Sequence, residues 1–504
     1  MYNKTYICAS SAEIIGEEME QQLYYNGTSE ETDDGIGITN NTQSSMSDLQ
    51  ILHGKEIQLL SLIEADTNSF STLEKEFEVD GYNILAVKES DILNPIDSYN
   101  LIKRTSRTWA RVAKLLNFSD TKIEKEFKTV ISQFPSWDRS RIGVALGILN
   151  IHRYYDLDTR DLVHGIVKDN YRNITHLAKT RLTVGDAKLF AEVAESEKDL
   201  IGALEWLKLF PKLRKRYMKL AKIHDDLVNY EPLTVIEGSI RTSEEPIEET
   251  VFDKTEIREL MIKAREFCSP FDTNCNEYFR ASDINHLCQG ITSRPPERDM
   301  NVKCDLVNYS DPYIKLGPFR LETFNNDGNY VAVIHNLMSS QEIEAMKNKA
   351  KGNMKATPYS VGNHQEEFSY KRSSKIKYVS ERNDDLALRI TRRMELALKF
   401  NIFSPNYRFN AENYQLMNYG FGGLISLHFD AINLYYSNQV GGGRFTTSMV
   451  YLSDPESGGF TIFPNLGLYF KPQSGNMLFW NLKTTDGNQD KGMLHLGCPV
   501  LYGE

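Results

Sequence analysis

The chain has 504 residues and a formal net charge of −11, and its length predicts two to four domains. The acidic balance argues against broad nucleic-acid binding, which requires a basic stripe. No run of eighteen apolar residues occurs, so no membrane-spanning helix is predicted. The first residues also lack the continuous apolar segment of a secretory signal.

The N-terminal residues 1–44 are predicted to be disordered, because the polar stretch 26–47 contains few hydrophobic side chains. A helix follows, in which alternating steps of three and four residues select nine positions, seven of them apolar. These positions are Leu49, Leu52, Glu56, Leu59, Ile63, Asp66, Phe70, Leu73 and Phe77. Such a heptad seam is typical of a dimerising coiled coil. An amphipathic helix packed on its own domain has the same spacing, and the two polar positions leave both interpretations open.

Helical periodicity continues over residues 97–160, and we predict a helical dimerisation domain over residues 45–165. Residues 182–210 predict a pair of helices that breaks near Glu195–Asp199, with Trp206 as a packing residue of the second helix. This hairpin is the unit of helical-repeat domains, and we assign residues 175–232 to a shortened TPR-like domain. Residues 233–317 are predicted to be an acidic linker with a cysteine-containing segment.

The pattern changes after residue 318. A predicted strand is followed by a helix that opens with a capping box between Ser339 and Glu342, and a second amphipathic helix is predicted over residues 383–398. From residue 413 onward, short β-rich segments alternate with turn residues, which indicates a jelly-roll barrel (a double-stranded β-helix) with the two helices on its outer face. The expected fold is a multi-domain α+β protein, with an all-α N-terminal half and a barrel over residues 318–504.

Four of the six cysteines fall within 37 residues and form no CxxC motif, so a zinc site is not predicted. These four are Cys268, Cys275, Cys288 and Cys304. A disulfide-stapled segment in an oxidising compartment is the favoured interpretation, and isolated free thiols are the alternative. Sequons for N-glycosylation fit a secretory route, although chance supplies several in this length. Among them are those that begin at Asn26, Asn117, Asn173 and Asn308.

The residues that predict chemistry are His428, Asp430 and His495. Residues i and i+2 of a strand face the same side, so one strand can present His428 and Asp430 together. His495 follows on a later predicted strand. Two imidazoles and one carboxylate on one face of iron(II) leave positions open for an oxoacid and dioxygen. A His-X-Asp pair alone is common by chance, but the strand context and the late third histidine favour a metal site.

At these residues the chain resembles the catalytic α subunits of collagen prolyl 4-hydroxylase. The matching stretches are YQLMNYGFGGLISLHFD, MVYLSDPESGGFTIFP, KPQSGNMLFWNL and HLGCPVLYGE. The resemblance extends back through VIHNLMSSQEIEAMKNKAK, LTVGDAKLFAEVAESEKDLIGALEW and the heptad-like helix, and covers nearly the whole chain from about residue 45. The C-terminal motifs are specific, whereas those of the helical half are less so.

The resemblance implies that His428, Asp430 and His495 bind iron(II), with 2-oxoglutarate as cosubstrate and ascorbate to reduce oxidised iron. It implies hydroxylation of peptidyl proline at C4, with succinate as coproduct, and a peptide-substrate-binding role for residues 175–232. It further implies a tetramer with protein disulfide isomerase in the endoplasmic-reticulum lumen, and a disulfide between Cys288 and Cys304.

Several residues depart from the family pattern. The lysine that binds 2-oxoglutarate in the family is expected just after Glu504 and is absent, as is a disulfide partner for Cys498, so we expect a C-terminally incomplete barrel with weak cosubstrate binding. Ile425 replaces a tyrosine of the cosubstrate pocket, and Leu494 replaces a basic residue before the second histidine. The segment from Leu182 to Pro232 is shorter than in the family.

These departures leave two explanations. An incomplete chain is the simplest account, whereas the internal substitutions Ile425 and Leu494 favour a degenerate paralogue. The leading functional prediction is a procollagen-proline 4-dioxygenase α subunit. The alternative is a catalytically impaired paralogue that acts as a binding or assembly subunit. A third possibility is the same chemistry on another protein residue, which the altered helical segment motivates.

Overall fold

The computed structural model describes residues 4–12, 46–64, 88–116, 118, 120–197, 199, 202–209, 284–291, 302–307, 312–326, 329–351, 354–356, 359–360, 366–367, 374–403, 411–431 and 444–503. The chain divides into two compact units. The helical unit is Leu49–Asn285, and the sheet unit combines Met1–Asp48 with His286–Glu504. None of the helices in the described residues has the length and apolar character needed to cross a bilayer.

The described helices begin and end as follows: α1 Met46–Glu64, α2 Pro95–Lys103, α3 Trp109–Leu115, α4 Thr121–Ile131, α5 Trp137–Tyr154, α6 Thr159–Val163, α7 Val184–Ser196, α8 202–209, α9 284–288, α10 Pro312–Leu316, α11 Ser340–Ala350 and α12 Asp385–Leu398. The described strands are β1 Lys4–Ala12, β2 Ile166–Asp169, β3 Ile174–Leu177, β4 Val302–Val307, β5 Phe319–Asn326, β6 Asn329–Ile334, β7 Lys355–Ala356, β8 Tyr359–Ser360, β9 Glu366–Glu367, β10 Lys375–Val379, β11 Tyr414–Tyr419, β12 Ile425–His428, β13 Arg444–Tyr451, β14 Ser457–Gly458, β15 Thr461–Phe463, β16 Leu468–Phe470, β17 Met477–Asn481, β18 His495–Gly497 and β19 Val500–Tyr502.

The heptad seam of α1 is buried within its own unit. Leu59 and Ile63 pack in a core cluster with Trp109. The polar seam residue Glu56 is 2% exposed, because its carboxylate accepts two hydrogen bonds of 2.9 Å from the Arg104 guanidinium and one of 2.9 Å from the Trp109 indole. Over the described part of the seam, the structure therefore favours the amphipathic-helix interpretation. The predicted seam positions beyond residue 64 lie outside the described residues.

The predicted helical hairpin is confirmed. Helix α7 ends at Ser196 and α8 includes residues 202–209, and Trp206 is fully buried against the Phe190 ring, with centroids 4.7 Å apart. The prediction of an all-α half is wrong in one place. Residues 166–177, which include the start of the predicted TPR-like domain, form the antiparallel hairpin β2–β3, whose short strands contain β-branched residues that fit a pleated ribbon.

The sheet unit contains a nine-stranded sheet in the order β4-β5-β6-β17-β13-β1-β11-β10-β7 and a four-stranded sheet in the order β12-β18-β15-β16. Strand alternation divides the side chains of the larger sheet. On β17, Leu478 and Trp480 face a core shared with β15 and β16 of the smaller sheet, whereas Met477 and Phe479 face α11 and α12. The two helices thus pack on the outer face of the sheet, as the sequence predicts.

Strand β1 was not expected. Residues 4–12 pair antiparallel with β11 on one side and with β13 on the other, so the prediction that residues 1–44 are disordered is wrong for this stretch. Pairing on both sides satisfies the backbone groups of β1 without a strong local sequence signal. Residues 13–45, the linker segment 231–255, Cys268 and Cys275 carry further predictions, and they lie outside the described residues.

Candidate metal centre

The three predicted ligands meet at one edge of the smaller sheet. Strands β12 and β18 pair antiparallel, and His428 lies directly opposite His495. The register shifts between Ile425 and His428, which means that β12 contains one extra residue. Without this bulge, the pairing of Ile425 with Gly497 would place Leu427 opposite His495. Bulges re-aim side chains next to active sites, and this one gives His428 its position.

The carboxylate of Asp430 lies between the two imidazoles. His428 Nε2 is 3.3 Å from Asp430 Oδ1, and His495 Nε2 is 3.5 Å from Asp430 Oδ2. Among the described residues, these three form a group whose candidate ligand atoms all lie within 4.8 Å of one another. The sequence prediction that they converge is therefore confirmed, whereas metal binding itself stays a prediction.

The second nitrogen of each imidazole faces a backbone carbonyl. His428 Nδ1 lies 2.8 Å from the Ser426 carbonyl oxygen, and His495 Nδ1 lies 3.0 Å from that of Met493. A carbonyl only accepts hydrogen bonds, so Nδ1 donates a proton in both rings, and each Nε2 faces the Asp430 carboxylate. Backbone partners of this kind fix the orientation of metal-binding histidines.

The charge states of the cluster suit a divalent cation. Burial, followed by the proximity of His428, lowers the pKa of His495 to about 4, so its imidazole is neutral near pH 7. Burial opposes ionisation of Asp430, but the two imidazoles hold the pKa of its carboxyl well below its usual range. Two imidazole nitrogens and one carboxylate are the donor set of non-haem iron(II) oxygenase sites.

Aromatic side chains enclose the inner ligand. The His495 ring is 5.0 Å from the Trp480 ring and 5.6 Å from the Phe463 ring, measured between centroids. His495 is 5% exposed, whereas the side chain of His428 is 31% exposed. The cluster therefore has one wall in the core between the sheets and one side open to solvent.

Sequence reasoning missed the groups that hold Asp430. The Thr447 hydroxyl donates a hydrogen bond of 2.8 Å to Asp430 Oδ2. Arg444 Nη1 donates to the Asp430 backbone oxygen over 3.2 Å, and the same guanidinium makes two bonds, of 2.5 and 2.9 Å, to Glu412. Thr447 and Arg444 both lie on β13, where alternation predicts which face a residue occupies but does not identify its partner.

The disulfide prediction is wrong. Cys288 is bonded to Cys498, with their Cα atoms 5.7 Å apart, and Cys304 is free and exposed. Cys304 lies on β4 at the margin of the larger sheet, whereas Cys288 and Cys498 are both buried. The prediction that the partner of Cys498 lies beyond Glu504 is wrong for the same reason. The bond fixes a position three residues after His495.

The two internal departures from the family pattern lie beside the ligands. Ile425 is on β12, is half-buried and packs against the core cluster that contains Phe463 and Trp480. Leu494 is half-buried and directly precedes His495. Neither side chain has a polar group with which to bind an anionic molecule.

Comparison with known proteins agrees with the resemblance found in the sequence motifs. Residues 46–169 match the family model described as the N-terminal region of the prolyl 4-hydroxylase alpha subunit. The chain is 25% identical to prolyl 4-hydroxylase subunit alpha-2 of Caenorhabditis elegans, over 91% of this chain and 89% of that protein. It is 25% identical to subunit alpha-2 of Gallus gallus, over 82% of this chain and 81% of that protein.

A solved structure is also similar in sequence over part of the chain. It is the viral collagen prolyl hydroxylase of Paramecium Bursaria Chlorella virus-1 in its 2OG complex, which is 27% identical. The match covers 35% of this chain and 92% of that one, with a TM-score of 0.25. The chain thus resembles the prolyl 4-hydroxylase alpha subunits along most of its length.

Proposed function

We propose that the chain is a procollagen-proline 4-dioxygenase α subunit, which converts peptidyl proline to 4-hydroxyproline with dioxygen and 2-oxoglutarate and releases succinate and carbon dioxide. The observation that carries this proposal is the convergence of His428 Nε2, His495 Nε2 and the Asp430 carboxylate, with both Nδ1 protons donated to backbone carbonyls. The resemblance to prolyl 4-hydroxylase alpha subunits supports the choice of reaction.

In this proposal His428, Asp430 and His495 hold iron(II), which supplies open coordination positions at which oxidative decarboxylation of 2-oxoglutarate is coupled to hydroxylation. Other residues of the chain hold and enclose these three ligands. Thr447 holds one carboxylate oxygen of Asp430. The rings of Phe463 and Trp480 exclude water from the inner side of His495.

The wider organisation is proposed from the same resemblance. The strands of the two sheets that lie within residues 318–504 form the jelly-roll of an oxygenase domain, and α7 and α8 belong to a TPR-like domain that binds collagen-like, proline-rich peptides. Residues 45–165 serve dimerisation, and the subunit assembles with protein disulfide isomerase. A buried disulfide is consistent with the endoplasmic-reticulum lumen, because disulfides persist in oxidising compartments. Ascorbate is the proposed reductant for iron oxidised without product formation.

A second candidate function is a non-catalytic binding or assembly subunit. Ile425 favours it, because an aliphatic side chain at this position cannot donate a hydrogen bond to an anionic cosubstrate. The two candidates share the metal ligands and differ in turnover. Iron binding and succinate release therefore have to be measured separately.

The test uses the full chain co-expressed with protein disulfide isomerase. Iron(II) stoichiometry is measured by metal analysis, and succinate release is measured with 2-oxoglutarate, ascorbate and a proline-rich peptide. Asp430→Asn and His495→Ala are expected to abolish both. His335→Asn is the matched control, because His335 pairs with Glu322 in the same unit, outside the ligand cluster, and should leave both readouts unchanged.

The outcomes separate the candidates. Peptide-dependent succinate release that requires Asp430 establishes the hydroxylase. Stoichiometric iron without succinate supports the binding subunit. Succinate release only with peptides that lack proline would move the substrate to another residue type, and a folded chain that binds no iron would overturn the metal centre and the hydroxylase function built on it.

A further inference from the structure

The hairpin β2–β3 presents an asparagine at its tip. The strands pair from Ile166 with Leu177 to Asp169 with Ile174, which leaves residues 170–173 as a four-residue loop. Within it, the Arg172 amide donates a hydrogen bond of 3.1 Å to Asp169 Oδ1. The last loop residue, Asn173, has φ of +54°, a left-handed conformation that asparagine tolerates better than most residues.

The same asparagine begins the sequon Asn173-Ile174-Thr175, one of six in the chain. Asn173 and Thr175 are both exposed, and the residue between them is not proline, as an acceptor requires. Tyr171 lies two residues before Asn173 in the same loop and is 45% exposed. Aromatic ring, acceptor amide and hydroxyl thus occupy alternate positions around one exposed turn.

We infer that Asn173 is an acceptor for N-linked glycosylation. The reaction would join the side-chain amide nitrogen of Asn173 to C1 of the first sugar of a lipid-pyrophosphate-linked oligosaccharide. The bond from C1 to the pyrophosphate oxygen breaks, and the lipid pyrophosphate leaves with the electron pair while the amide loses one proton. The inference rests on the proposed secretory location, because the sugar donor is present in that compartment.

The surface around the loop fits an attached sugar. Apolar side chains are unusually exposed on this two-stranded ribbon, with Ile174 at 42% and Leu177 at 69%. An aromatic ring offers an apolar face on which a sugar ring can stack, and Tyr171 provides one beside the acceptor. A glycan on Asn173 would also keep a ribbon of exposed hydrophobic residues solvated, since attached glycans are bulky and solubilising.

The decisive experiment synthesises the full chain behind a cleavable signal peptide in the presence of microsomes, and examines only molecules whose signal has been removed. Enzymatic deglycosylation in heavy-oxygen water, followed by peptide mass spectrometry, is expected to show conversion of Asn173 to labelled aspartate. Asn173→Gln and Thr175→Val should each remove one glycan from the chain, and Thr175→Ser should retain it. Asn170→Gln is the matched control, because Asn170 is exposed in the same loop but begins no sequon.

The inference is overturned if Asn173 is unmodified in chains with a cleaved signal. It is also overturned if Asn170→Gln and Asn173→Gln have the same glycan content. Replacement of Tyr171 by alanine is expected to lower the occupied fraction at Asn173, and an unchanged fraction would remove the role given to the ring. A glycosylated chain without succinate release would contradict the proposed hydroxylase alone, and an active chain without this glycan would contradict this inference alone.

Discussion

Replacement of Thr447 by valine tests whether the metal centre depends on the group that holds its carboxylate. The Thr447 side chain is 4% exposed, and its hydroxyl donates a hydrogen bond of 2.8 Å to Asp430 Oδ2. Valine keeps the branched shape but removes the donor. The carboxylate can then rotate, and the oxygen that faces His495 is no longer fixed.

The size of the effect follows from the type of bond. A hydrogen bond to a charged acceptor contributes about 1.5–3 kcal/mol, and removal of a group that orients a metal ligand typically weakens metal affinity by about 10- to 100-fold. The same bond exists in the metal-free chain, so its removal destabilises both the metal-free and the metal-bound states. Only the difference between the two losses appears in the iron(II) affinity. We therefore expect Thr447→Val to weaken iron(II) affinity by roughly tenfold, the lower end of that range.

The assay is anaerobic titration with iron(II), together with chemical unfolding of the metal-free chain. Thr446→Val is the control, because Thr446 is the neighbouring buried residue on β13 and faces the other side of the strand. Whatever its effect on stability, Thr446→Val should leave the affinity for iron(II) within twofold of the unmodified chain. If Thr447→Val lowers the free energy of unfolding of the metal-free chain but leaves the iron(II) affinity unchanged, the hydroxyl supports the fold and does not orient the ligand.

Three further predictions concern stability. Cys288→Ser removes the buried disulfide and should lower the free energy of unfolding by about 2–4 kcal/mol, whereas Cys304→Ser should leave it unchanged, and an equal loss in both variants would restore the predicted pairing of Cys288 with Cys304. The hydrogen bonds from Arg393 hold the pKa of Glu342 at about 2, so this carboxylate stabilises the fold above its unfolded pKa of about 4.3 and ceases to do so as the pH falls through about 2. The difference in unfolding free energy between the chain and Glu342→Gln should therefore be about 1–3 kcal/mol at pH 7 and disappear near pH 2, and a constant difference would refute the assignment. Glu56→Leu removes the carboxylate from a buried ion pair and should destabilise the helical unit by about 3–5 kcal/mol, whereas stabilisation with tighter dimers in sedimentation would support the coiled-coil seam.

The ligands could be predicted because their signal is local. His428 and Asp430 are two residues apart, and a strand with this spacing brings both side chains to one face. The orientation of the rings is local as well. Each histidine Nδ1 faces the carbonyl two residues earlier, at Ser426 and Met493, so the chain next to each ligand sets its tautomer. The helices and short strands of the sheet unit follow equally from periodicity and turn residues.

The features that sequence reasoning missed depend on contacts between distant residues. Cys288 and Cys498 are 210 positions apart, and spacing among neighbouring cysteines carries no information about that pairing. Glu56 occupies a heptad position that local periodicity assigns to a seam, but its partner is a guanidinium 48 residues later. Strand β1 is similar, because its place between β11 and β13 is set by two neighbours that follow it by some four hundred residues.

The bulge in β12 explains how the side chain of Ile425 can differ from the family pattern without changing the geometry of the metal ligands. Ile425 precedes the extra residue and packs into the core between the sheets, whereas His428 follows it and is aimed at Asp430. The contacts that hold His428 and Asp430 come from Ser426, Thr447 and the pairing with β18. The identity of the side chain at position 425 therefore has little effect on ligand geometry, while it changes the polarity of the adjoining wall. Intact iron affinity with weakened 2-oxoglutarate affinity is the combination that this arrangement predicts, and for that reason metal binding alone does not decide between the two candidate functions.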